Sequence, residues 1–288
     1  MRNRILLITT ILAIFLMTGV LYAADGDLIV DGNFTLGGTV NGNYISSTPA
    51  PNTIPVSGSD GKLSPAWFQG GSLLNVQYLT TAGSGVYTPT SGTNKIIVEL
   101  VGGGGGGEPV GPITSVQLAM GQSGGSGGYA RKTFTGISGT YTYTIGAGGC
   151  YYGCSVPNGG NTSFTGPGSV TVTAYGGSAA NTGSGGTSLI ILNGAPGGSI
   201  STNGDINVAG NPGGLSVAQN AGGATGPGGA SVFGGPGAGV SVTAYQTTPG
   251  NDATGYGSGG SGAIGYGSGP LVYGGSGKQG IIIVSEFN

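Results

Sequence analysis

The sequence of 288 residues contains no histidine, few charged residues and only two cysteines. Without histidine, Ser-His-Asp and Cys-His catalysis are excluded, and zinc loses a frequent nitrogen ligand. Charged residues make up 6% of the chain, which is too few for a typical disordered polymer. After residue 24 the chain carries five basic and nine acidic residues, a net charge of −4. With no basic patch, we expect neither nucleic-acid binding nor attraction to a membrane surface.

The two cysteines, Cys150 and Cys154, are separated by three residues. A Cys-x3-Cys pair alone is a poor metal site, so we expect no metal and no cofactor. In an exported chain a disulfide is the default, and here it would close a small ring worth about 2 kcal/mol. The pair is therefore predicted to be a structural disulfide that fixes the shape of a loop tip.

The first 23 residues have the layout of a secretory signal peptide. Arg2 and Arg4 form a basic start, residues 5–20 are apolar, and the segment ends in small side chains. Cleavage after Ala23 would leave a secreted or cell-surface protein, exported through the inner membrane. The alternative is an uncleaved anchor, since residues 5–24 are just long enough to span a bilayer. No later segment of the sequence could span one.

Residues 24–72 and 73–288 differ in composition. The first region alternates short apolar pieces with Asp-Gly and Asn-Gly turn signals. This pattern predicts a stalk or collar in which copies of the chain wrap around one another, as a homotrimer or another self-assembly. The alternative is a flexible linker. From residue 73 onward the patterns predict a glycine-rich β domain.

Alternating patterns and continuous apolar runs predict the strands of this domain. Residues 95–101 form an apolar run suited to a central buried strand. The closing residues 280–287 have a similar composition, so we expect these two strands to pair. Further strands are predicted at 76–80, 129–135, 141–145, 170–175 and 189–192.

Between the strands the chain concentrates its 69 glycines and 15 prolines, including six consecutive glycines at 102–107. X-Pro-Gly recurs at Pro196, Pro212, Pro227 and Pro236. Proline fixes φ near −65°, and glycine accepts the same extended conformation, so both suit a left-handed helix with three residues per turn. Segments without Cβ atoms can pack side by side through backbone hydrogen bonds. We therefore predict a mostly-β, β-sandwich-like domain with long, ordered, polyglycine II-like loops; the alternative is long mobile loops.

No motif in the chain predicts an enzyme. G-x-G-x-x-G matches at residues 102–107, but Glu108-Pro109 does not open the helix that a dinucleotide site needs. No Gly-Lys-Ser/Thr follows for a phosphate loop. The carboxylates are scattered, mostly in turns. Glu99 and Glu286 lie on predicted strands and could face each other as paired catalytic carboxylates, although surface or edge placement is the favoured interpretation.

The fourteen tyrosines are the most numerous aromatic side chains that could contact a ligand. A tyrosine offers a large rigid surface with a polar tip, and tyrosine among glycine, serine and asparagine is typical of an adaptable recognition surface. The alternative is that the rings fill gaps between glycine segments. The candidate ligand contacts are the tyrosines in glycine-flanked loops: Tyr151, Tyr152, Tyr256, Tyr266 and Tyr273.

Several pieces of the C-terminal part resemble the glycine-rich domain of bacteriophage tail-fibre and receptor-binding proteins. They are IIVELVGGGGGG, GGSGGYARKTFTG, YTYTIGAGG, GGNTSF and GIIIVSEF, in this order. Residues 50–68 are similar to a connector upstream of such tips. The resemblance implies a β-rich tip, often trimeric through its stalk, that binds a host receptor and carries no catalytic residue. Phage tail proteins normally lack a signal peptide, so a bacterial secreted or surface protein built on this domain fits better.

The sequence therefore predicts a secreted or surface-displayed, non-enzymatic adhesion module that binds a cell-surface glycan or protein receptor. The alternative from another class is a structural subunit of an extracellular filament, sheath or matrix, which low charge and exposed β edges would serve. A third hypothesis, ice binding by flat faces with threonine rows, rests on fold analogy alone.

Overall fold

The computed structural model describes residues 39–40, 43–46, 53–55, 71–113, 117–150, 157–180, 184–186, 188–219, 222–243 and 245–288. The chain divides into two compact units, Met1–Trp67 and Phe68–Asn288. In the first unit the strands β1 (Thr39–Val40), β2 (Asn43–Ser46) and β3 (Thr53–Pro55) form one sheet. The predicted signal peptide at 1–23 and most of the predicted stalk lie outside the described residues, and both stay predictions.

The described residues of the second unit contain seventeen short strands and no α-helix. Nowhere in the described part of the chain is a helix long and apolar enough to cross a membrane. The predicted mostly-β fold is therefore confirmed. The strands are β4 (Leu73–Leu79), β5 (Gly83–Tyr87), β6 (Lys95–Val101), β7 (Leu118–Met120), β8 (Tyr129–Thr135), β9 (Tyr141–Ile145), β10 (Thr162–Thr165), β11 (Thr171–Ala174), β12 (Ser184–Gly186), β13 (Ile190–Leu192), β14 (Ile206–Val208), β15 (Ser216–Gln219), β16 (Gly222–Ala224), β17 (Ser241–Val242), β18 (Gln246–Thr248), β19 (Ile264–Tyr266) and β20 (Ile281–Phe287).

Two sheets pack against each other at one end of this unit and form what we call the base sandwich. One has the strand order β14-β8-β6-β20-β4 and the other β11-β10-β9-β5. Alternate residues of β6, namely Ile96, Val98 and Leu100, are fully buried between the sheets, as the two-residue repeat of a strand requires. The ring of Phe164 on β10 is also fully buried, with its centroid 6.0 Å from that of Phe134. Large apolar side chains fill this core.

The predicted pairing of residues 95–101 with the closing strand is confirmed. β20 runs antiparallel to β6, with Ile281 opposite Val101 and Phe287 opposite Lys95. Beyond β20, the N–H of Asn288 donates to the carbonyl of Ser72 at 3.3 Å. The two ends of the second unit therefore meet in the base sandwich.

Beyond the base sandwich the glycine tracts form a bundle in which backbone hydrogen bonds join each extended segment to its neighbours. The described residues contain twelve such segments, numbered here in chain order. They are segments 1 (102–108), 2 (121–128), 3 (146–150), 4 (157–160), 5 (175–180), 6 (193–199), 7 (209–215), 8 (225–230), 9 (234–240), 10 (249–255), 11 (257–263) and 12 (273–280).

Segment 1, which contains the six consecutive glycines, lies inside the bundle. The N–H groups of Gly102 and Gly105 donate to segment 2, that of Gly103 to segment 4 and that of Gly104 to segment 12, at 2.8–3.0 Å. Its carbonyl groups accept hydrogen bonds from segments 3, 5 and 11. A repeat of three residues is that of the polyproline II helix. The predicted polyglycine II-like conformation is therefore present as one ordered helix bonded to six neighbours.

Segments 2 and 11 are the other inner segments. Segment 2 is bonded to segments 1, 5, 6, 7, 8 and 11, and segment 11 to segments 1, 2, 8, 9, 10 and 12. The nine remaining described segments form a closed ring around these three, running in chain order from 3 to 10, then to 12 and back to 3. Three mutually bonded rods inside a ring of nine is hexagonal packing. The glycine tracts are thus a second core, made of backbone.

Close approach between backbones explains why the inner segments consist mainly of glycine. A Cβ atom on Gly104 would lie less than 3.0 Å from the carbonyl oxygen of Ser258, and Gly105 is equally confined. In the outer ring one side of each segment faces solvent, and the repeated prolines use it: Pro196 and Pro212 are exposed. A missing N–H costs no internal bond at such a position.

Serine hydroxyls complete the bonding of the inner segments. The hydroxyl of Ser123 donates to the carbonyl of Gly226 at 2.5 Å and accepts from the N–H of Gly262 at 3.1 Å. The spacing of three keeps these side chains on one side of their helix. The fully buried serines of segments 2 and 11 are Ser123, Ser126, Ser258 and Ser261.

Two small sheets close the bundle at what we call the distal end. Their strand orders are β12-β7-β19-β18 and β13-β15-β16-β17. Leu118, Met120 and Ile264 are almost fully buried in the cluster that joins the two sheets. The bundle therefore lies between a large side-chain core at the base and a small one at the distal end.

Candidate functional site at the distal end

The distal end is the end of the bundle opposite the base sandwich. Odd-numbered segments lead from the base sandwich toward the distal end, and even-numbered segments return. Each distal connection therefore follows an odd-numbered segment. The described parts of these connections are residues 109–113, 117–120, 184–186, 188–192, 216–219, 222–224, 241–243, 245–248 and 264–272.

None of these described stretches contains Asp, Glu, Lys or Arg. The strands of the base sandwich, in contrast, carry Lys95, Glu99, Arg131, Lys132 and Glu286. Hydroxyl, amide, aromatic and apolar side chains are therefore the chemistry that the distal connections can offer. Such a surface is suited to a neutral partner.

Tyr245 is the most exposed large hydrophobic side chain of the described distal residues, with 67% of its surface accessible. Its ring centroid lies 4.7 Å from that of Tyr266, at an interplanar angle of 38°. Gly267, which follows β19, has φ of +75°, and a Cβ atom there would overlap the ring of Tyr245. Two features therefore require glycine at position 267: the left-handed turn, and the Tyr245 ring that lies over it.

Among the predicted ligand contacts, Tyr266 is buried, with 8% of its surface exposed, and packs in the distal cluster with Leu118 and Met120. Its ring supports Tyr245 and has little surface left for a ligand. Tyr273 is half-buried at the distal start of segment 12, and its carbonyl accepts from the N–H of Gly250 at 2.9 Å.

Tyr256 lies at the other end of the molecule, between segments 10 and 11 at the base. It is half-buried, and its carbonyl accepts a hydrogen bond from the hydroxyl of Ser231. Tyr256 therefore does not join Tyr266 and Tyr273 in one surface. Tyr151 and Tyr152 lie outside the described residues, and their role in ligand contact stays a prediction.

The predicted disulfide also extends outside the described residues, because Cys154 is not among them. Cys150 is buried at the end of segment 3, beside Gly106 of segment 1. The pairing of Cys150 with Cys154 stays a prediction.

Apolar side chains add to the exposed distal surface. Ile191 on β13 and Val217 on β15 are directly opposite each other, and 56% and 40% of their surfaces are exposed. Leu189, two residues before Ile191, and Leu271, in another distal connection, are exposed as well. Together with Tyr245 they give the distal end aromatic and aliphatic contact area without charge.

A cavity of about 360 Å³ opens at the distal end of segment 1. Val110, Ile113 and Met120 form apolar walls, while Glu108 and Gln117 contribute polar groups. Glu108 is the single carboxylate that borders the described distal surface, and it belongs to the bundle. The cavity is large enough for a small polar group of a ligand and lacks the paired acids of a hydrolase.

Glu99 and Glu286 do not face each other. Glu99 lies on the outer face of its sheet, whereas Glu286 is fully buried on the inner face. The expectation of surface or edge placement is therefore wrong for Glu286. Its carboxylate accepts from the hydroxyl of Tyr87 at 2.5 Å and from the side-chain amide of Gln77 at 2.8 Å.

This buried carboxylate joins three parts of the base sandwich. A third hydrogen bond reaches it from the N–H of Thr90 at 3.2 Å. Burial raises the pKa of Glu286, but the hydrogen bonds outweigh it and hold the pKa below its usual value of 4.5. The group is fully buried and all three donors reach its Oε1 atom, so it cross-links the strands around it.

Sequence reasoning missed Tyr245 as a surface residue. The sequence Val-x-Val-Thr-Ala-Tyr occurs at 170–175 and again at 240–245. The first copy leads from β11 into segment 5, whereas the second reverses direction at the distal end. The available signal was the Gln-Thr-Thr-Pro that follows Tyr245, because this polar stretch interrupts the glycine pattern.

A family model for a glycine-rich domain matches residues 80–286. The matched region begins directly after β4 and ends within β20, so it includes the base sandwich, the bundle and the distal end. None of the curated proteins compared with the chain is significantly similar to it.

Proposed function

The chain belongs to the family of glycine-rich domains, and from this premise we propose that it is a secreted or surface-displayed, non-enzymatic adhesion module. Its distal end would bind a receptor, a glycan or a protein, on another cell surface. In this respect it would act like the receptor-binding tips of phage tail fibres that its sequence resembles.

The observation that carries the proposal is the arrangement of the second unit, which has its chain ends in the base sandwich and the distal end opposite them. Both ends of its described residues meet in the base sandwich, where Asn288 bonds to Ser72. An attachment at the base sandwich would therefore leave the distal end free for contact. A bundle held by interlocked backbone bonds is a rigid spacer for such a display.

The chemistry of the distal end indicates how a receptor would be held. Tyr245 offers an exposed aromatic face that Tyr266 and Gly267 fix in place. A rigid aromatic side chain gives much contact area at little cost in conformational entropy. Neutral distal connections favour an uncharged receptor surface, and sugars stack on such rings.

Export fits the same proposal. The predicted signal peptide at 1–23 would carry the chain through the inner membrane, and cleavage after Ala23 would release it. In an oxidising compartment the Cys150–Cys154 pair would be oxidised and would close a small ring that contains Tyr151 and Tyr152.

A binding assay with two matched tyrosine variants tests the proposal. Tyr245→Ala removes a ring that is 67% exposed at the distal end, and Tyr78→Ala removes one that is 64% exposed in the base sandwich. The labelled mature protein is applied to a glycan array and to whole bacterial cells. We expect saturable binding that Tyr245→Ala weakens at least tenfold and Tyr78→Ala leaves intact. Equal loss in both variants, or no saturable binding at all, would refute the proposal.

One observation favours the second candidate, a structural subunit of an extracellular filament, sheath or matrix. β4 is an edge strand of seven residues without charge or proline, and Leu73, Leu74 and Tyr78 on it are exposed. Edges of this kind pair readily with other chains. Concentration-dependent fibres that form without ligand, and that Leu74→Lys prevents, would support this role. A wild-type chain that stays monodisperse at all concentrations would exclude assembly through β4.

A further inference from the structure

The four-stranded sheet of the base sandwich has an outer face made almost entirely of hydroxyl side chains. In β9, Tyr141 and Ile145 point into the core, so Thr142 and Thr144 point outward. The same alternation holds in the three other strands. None of β5, β9, β10 and β11 carries a charged residue.

The strand register aligns these hydroxyls in two rows across the sheet. One row contains Ser84, Thr144, Ser163 and Thr173. The hydroxyls of Ser84 and Thr144 are hydrogen-bonded to each other at 2.9 Å. Neighbouring strands lie about 4.8 Å apart, so the row is a regular array.

The second row contains Val86, Thr142, Thr165 and Thr171. The hydroxyls of Thr165 and Thr171 are also bonded to each other at 2.9 Å. In a pair of hydroxyls, one proton and several lone pairs remain for a ligand. Each row therefore presents donors and acceptors in fixed positions.

The members of both rows on β5, β9 and β10 line a continuous trough. A depression of about 530 Å³ lies over Ser84, Thr144 and Ser163, and a second one of about 500 Å³ extends it past Ser138 and Ser169. Thr142 and Thr165 line both depressions. Between Thr144 and Thr140 the strand alone spans about 13 Å, which is longer than one sugar ring.

We propose that this trough binds a neutral oligosaccharide chain. A ligand that contains many hydroxyl groups matches a lining of hydroxyl groups, because both partners donate and accept. The lining contains no cation for a phosphate or an acidic sugar and no carboxylate for an amine. The trough lies at the opposite end of the bundle from Tyr245, so it is independent of the proposed adhesive site.

The outer face of the five-stranded sheet of the base sandwich, in contrast to the trough, carries charged side chains. That face carries Lys95, Glu99 and Arg131, and Tyr129 bonds to Glu99 at 2.5 Å. The chain therefore can place charges on a sheet face, and the trough has none. A face without charge in an otherwise mixed sandwich is what a neutral ligand requires.

The test measures binding of three hexasaccharides to the mature protein by calorimetry and by amide shifts in NMR spectra. The neutral probes are hexamers of β-1,4-linked glucose and N-acetylglucosamine, and the acidic control is a hexamer of galacturonate. We expect at least one neutral hexamer to bind saturably and to shift the amides of Thr142, Thr144 and Thr165, while the acidic hexamer does not. The double variant Thr142→Val/Thr165→Val keeps β-branched side chains and should raise the Kd about tenfold, since two neutral hydrogen bonds are lost.

Thr135→Val, on an exposed strand position of the other sheet, is the matched control and should bind like the wild type. Tyr245→Ala should also bind the hexamer normally, so failure of the adhesive site and failure of the trough are distinguishable. Absence of binding by both neutral hexamers, equal binding of the acidic one, or an unaffected double variant would overturn the proposal. If the protein showed thermal hysteresis but bound no hexamer, the hydroxyl rows would be an ice-binding surface, and the proposal would be overturned as well. If the double variant does not fold, the wild-type shift map decides alone.

Discussion

The base sandwich and the glycine bundle adjoin each other in one unit but are held together by different parts of the chain. In the sandwich, large side chains such as Leu100 and Phe164 fill the space between two sheets. In the bundle, backbone groups of segments 1, 2 and 11 fill the space and bond to one another. The core of the sandwich depends on the volume of its side chains, whereas the core of the bundle forms only where side chains are absent.

This difference predicts opposite responses to mutation. A side-chain core is destabilised when a large residue becomes small, because a cavity remains. A backbone core is destabilised when glycine gains a single carbon, because its neighbours have no room to move. The usual ranking of conservative substitutions is therefore reversed between the two regions.

The largest effect is expected in the sandwich, from Phe164→Ala. The ring is fully buried and contacts those of Tyr87, Phe134 and Tyr141. We expect a loss of about 4 kcal/mol in the free energy of unfolding, measured by denaturant titration. Val86→Ala, at a site that is 61% exposed in the same sandwich, should change it by less than about 0.5 kcal/mol.

Adding one methyl group in the bundle should have nearly the same cost. Gly104→Ala would place a Cβ atom against the carbonyl of Ser258, and we expect a loss of about 3 kcal/mol. Gly111 is the matched control, because a Cβ atom there meets nothing within 4 Å. Gly111→Ala should leave the unfolding midpoint unchanged. If both variants were equally stable, the bundle would not be a packed core.

A smaller effect should follow when one buried hydroxyl is removed. Ser123→Ala leaves the N–H of Gly262 and the carbonyl of Gly226 without their hydroxyl partner. Unsatisfied buried groups of this kind cost about 1–3 kcal/mol. Ser84→Ala, on the exposed face of the sandwich, removes a hydroxyl that water can replace. If Ser123→Ala destabilised the protein no more than Ser84→Ala does, the bundle would tolerate unpaired groups.

The smallest effect of the four is the pH dependence from Glu286, which distinguishes the sandwich from the nearly uncharged bundle. Because the folded pKa lies below the ordinary value of 4.5, the carboxylate stabilises the fold above that value. This contribution is lost as the pH falls below 4.5 through the folded pKa. Thermal melts between pH 7 and pH 3 should show the decline in the wild type and a flatter profile in Glu286→Gln. If the two profiles were parallel, Glu286 would not be the source of the pH dependence.

Much of the sandwich was predictable because its strands follow the two-residue pattern of burial. Residues 95–101, 129–135 and 141–145 match β6, β8 and β9, and the pairing of β6 with β20 follows from their apolar composition. Among the short distal strands, β13 matches the strand predicted at 189–192. Others, such as β16, were not predicted, because Gly222–Ala224 has no alternating or apolar pattern. Their pairing is determined by the bundle that leads into them.

The bundle was predictable in kind but not in arrangement. Glycine and proline content indicated extended segments that pack side by side, and the bonds of segment 1 confirm it. Which three segments lie inside depends on long-range neighbours that no local pattern specifies. Two features of the sequence could have identified the inner segments. They are the six uninterrupted glycines of segment 1 and the serines three residues apart in segments 2 and 11. The candidate site was less predictable, since Tyr245 becomes a surface residue only through the turn at Gly267.

Hydrogen exchange of the inner glycine amides tests the central claim most directly, because each amide reports its own hydrogen bond. If backbone groups form a core, the amides of Gly103, Gly104 and Gly105 exchange as slowly as that of Val98 in β6. Exchange of the three glycine amides at the rate of an unfolded peptide, while Val98 stays protected, would contradict the account.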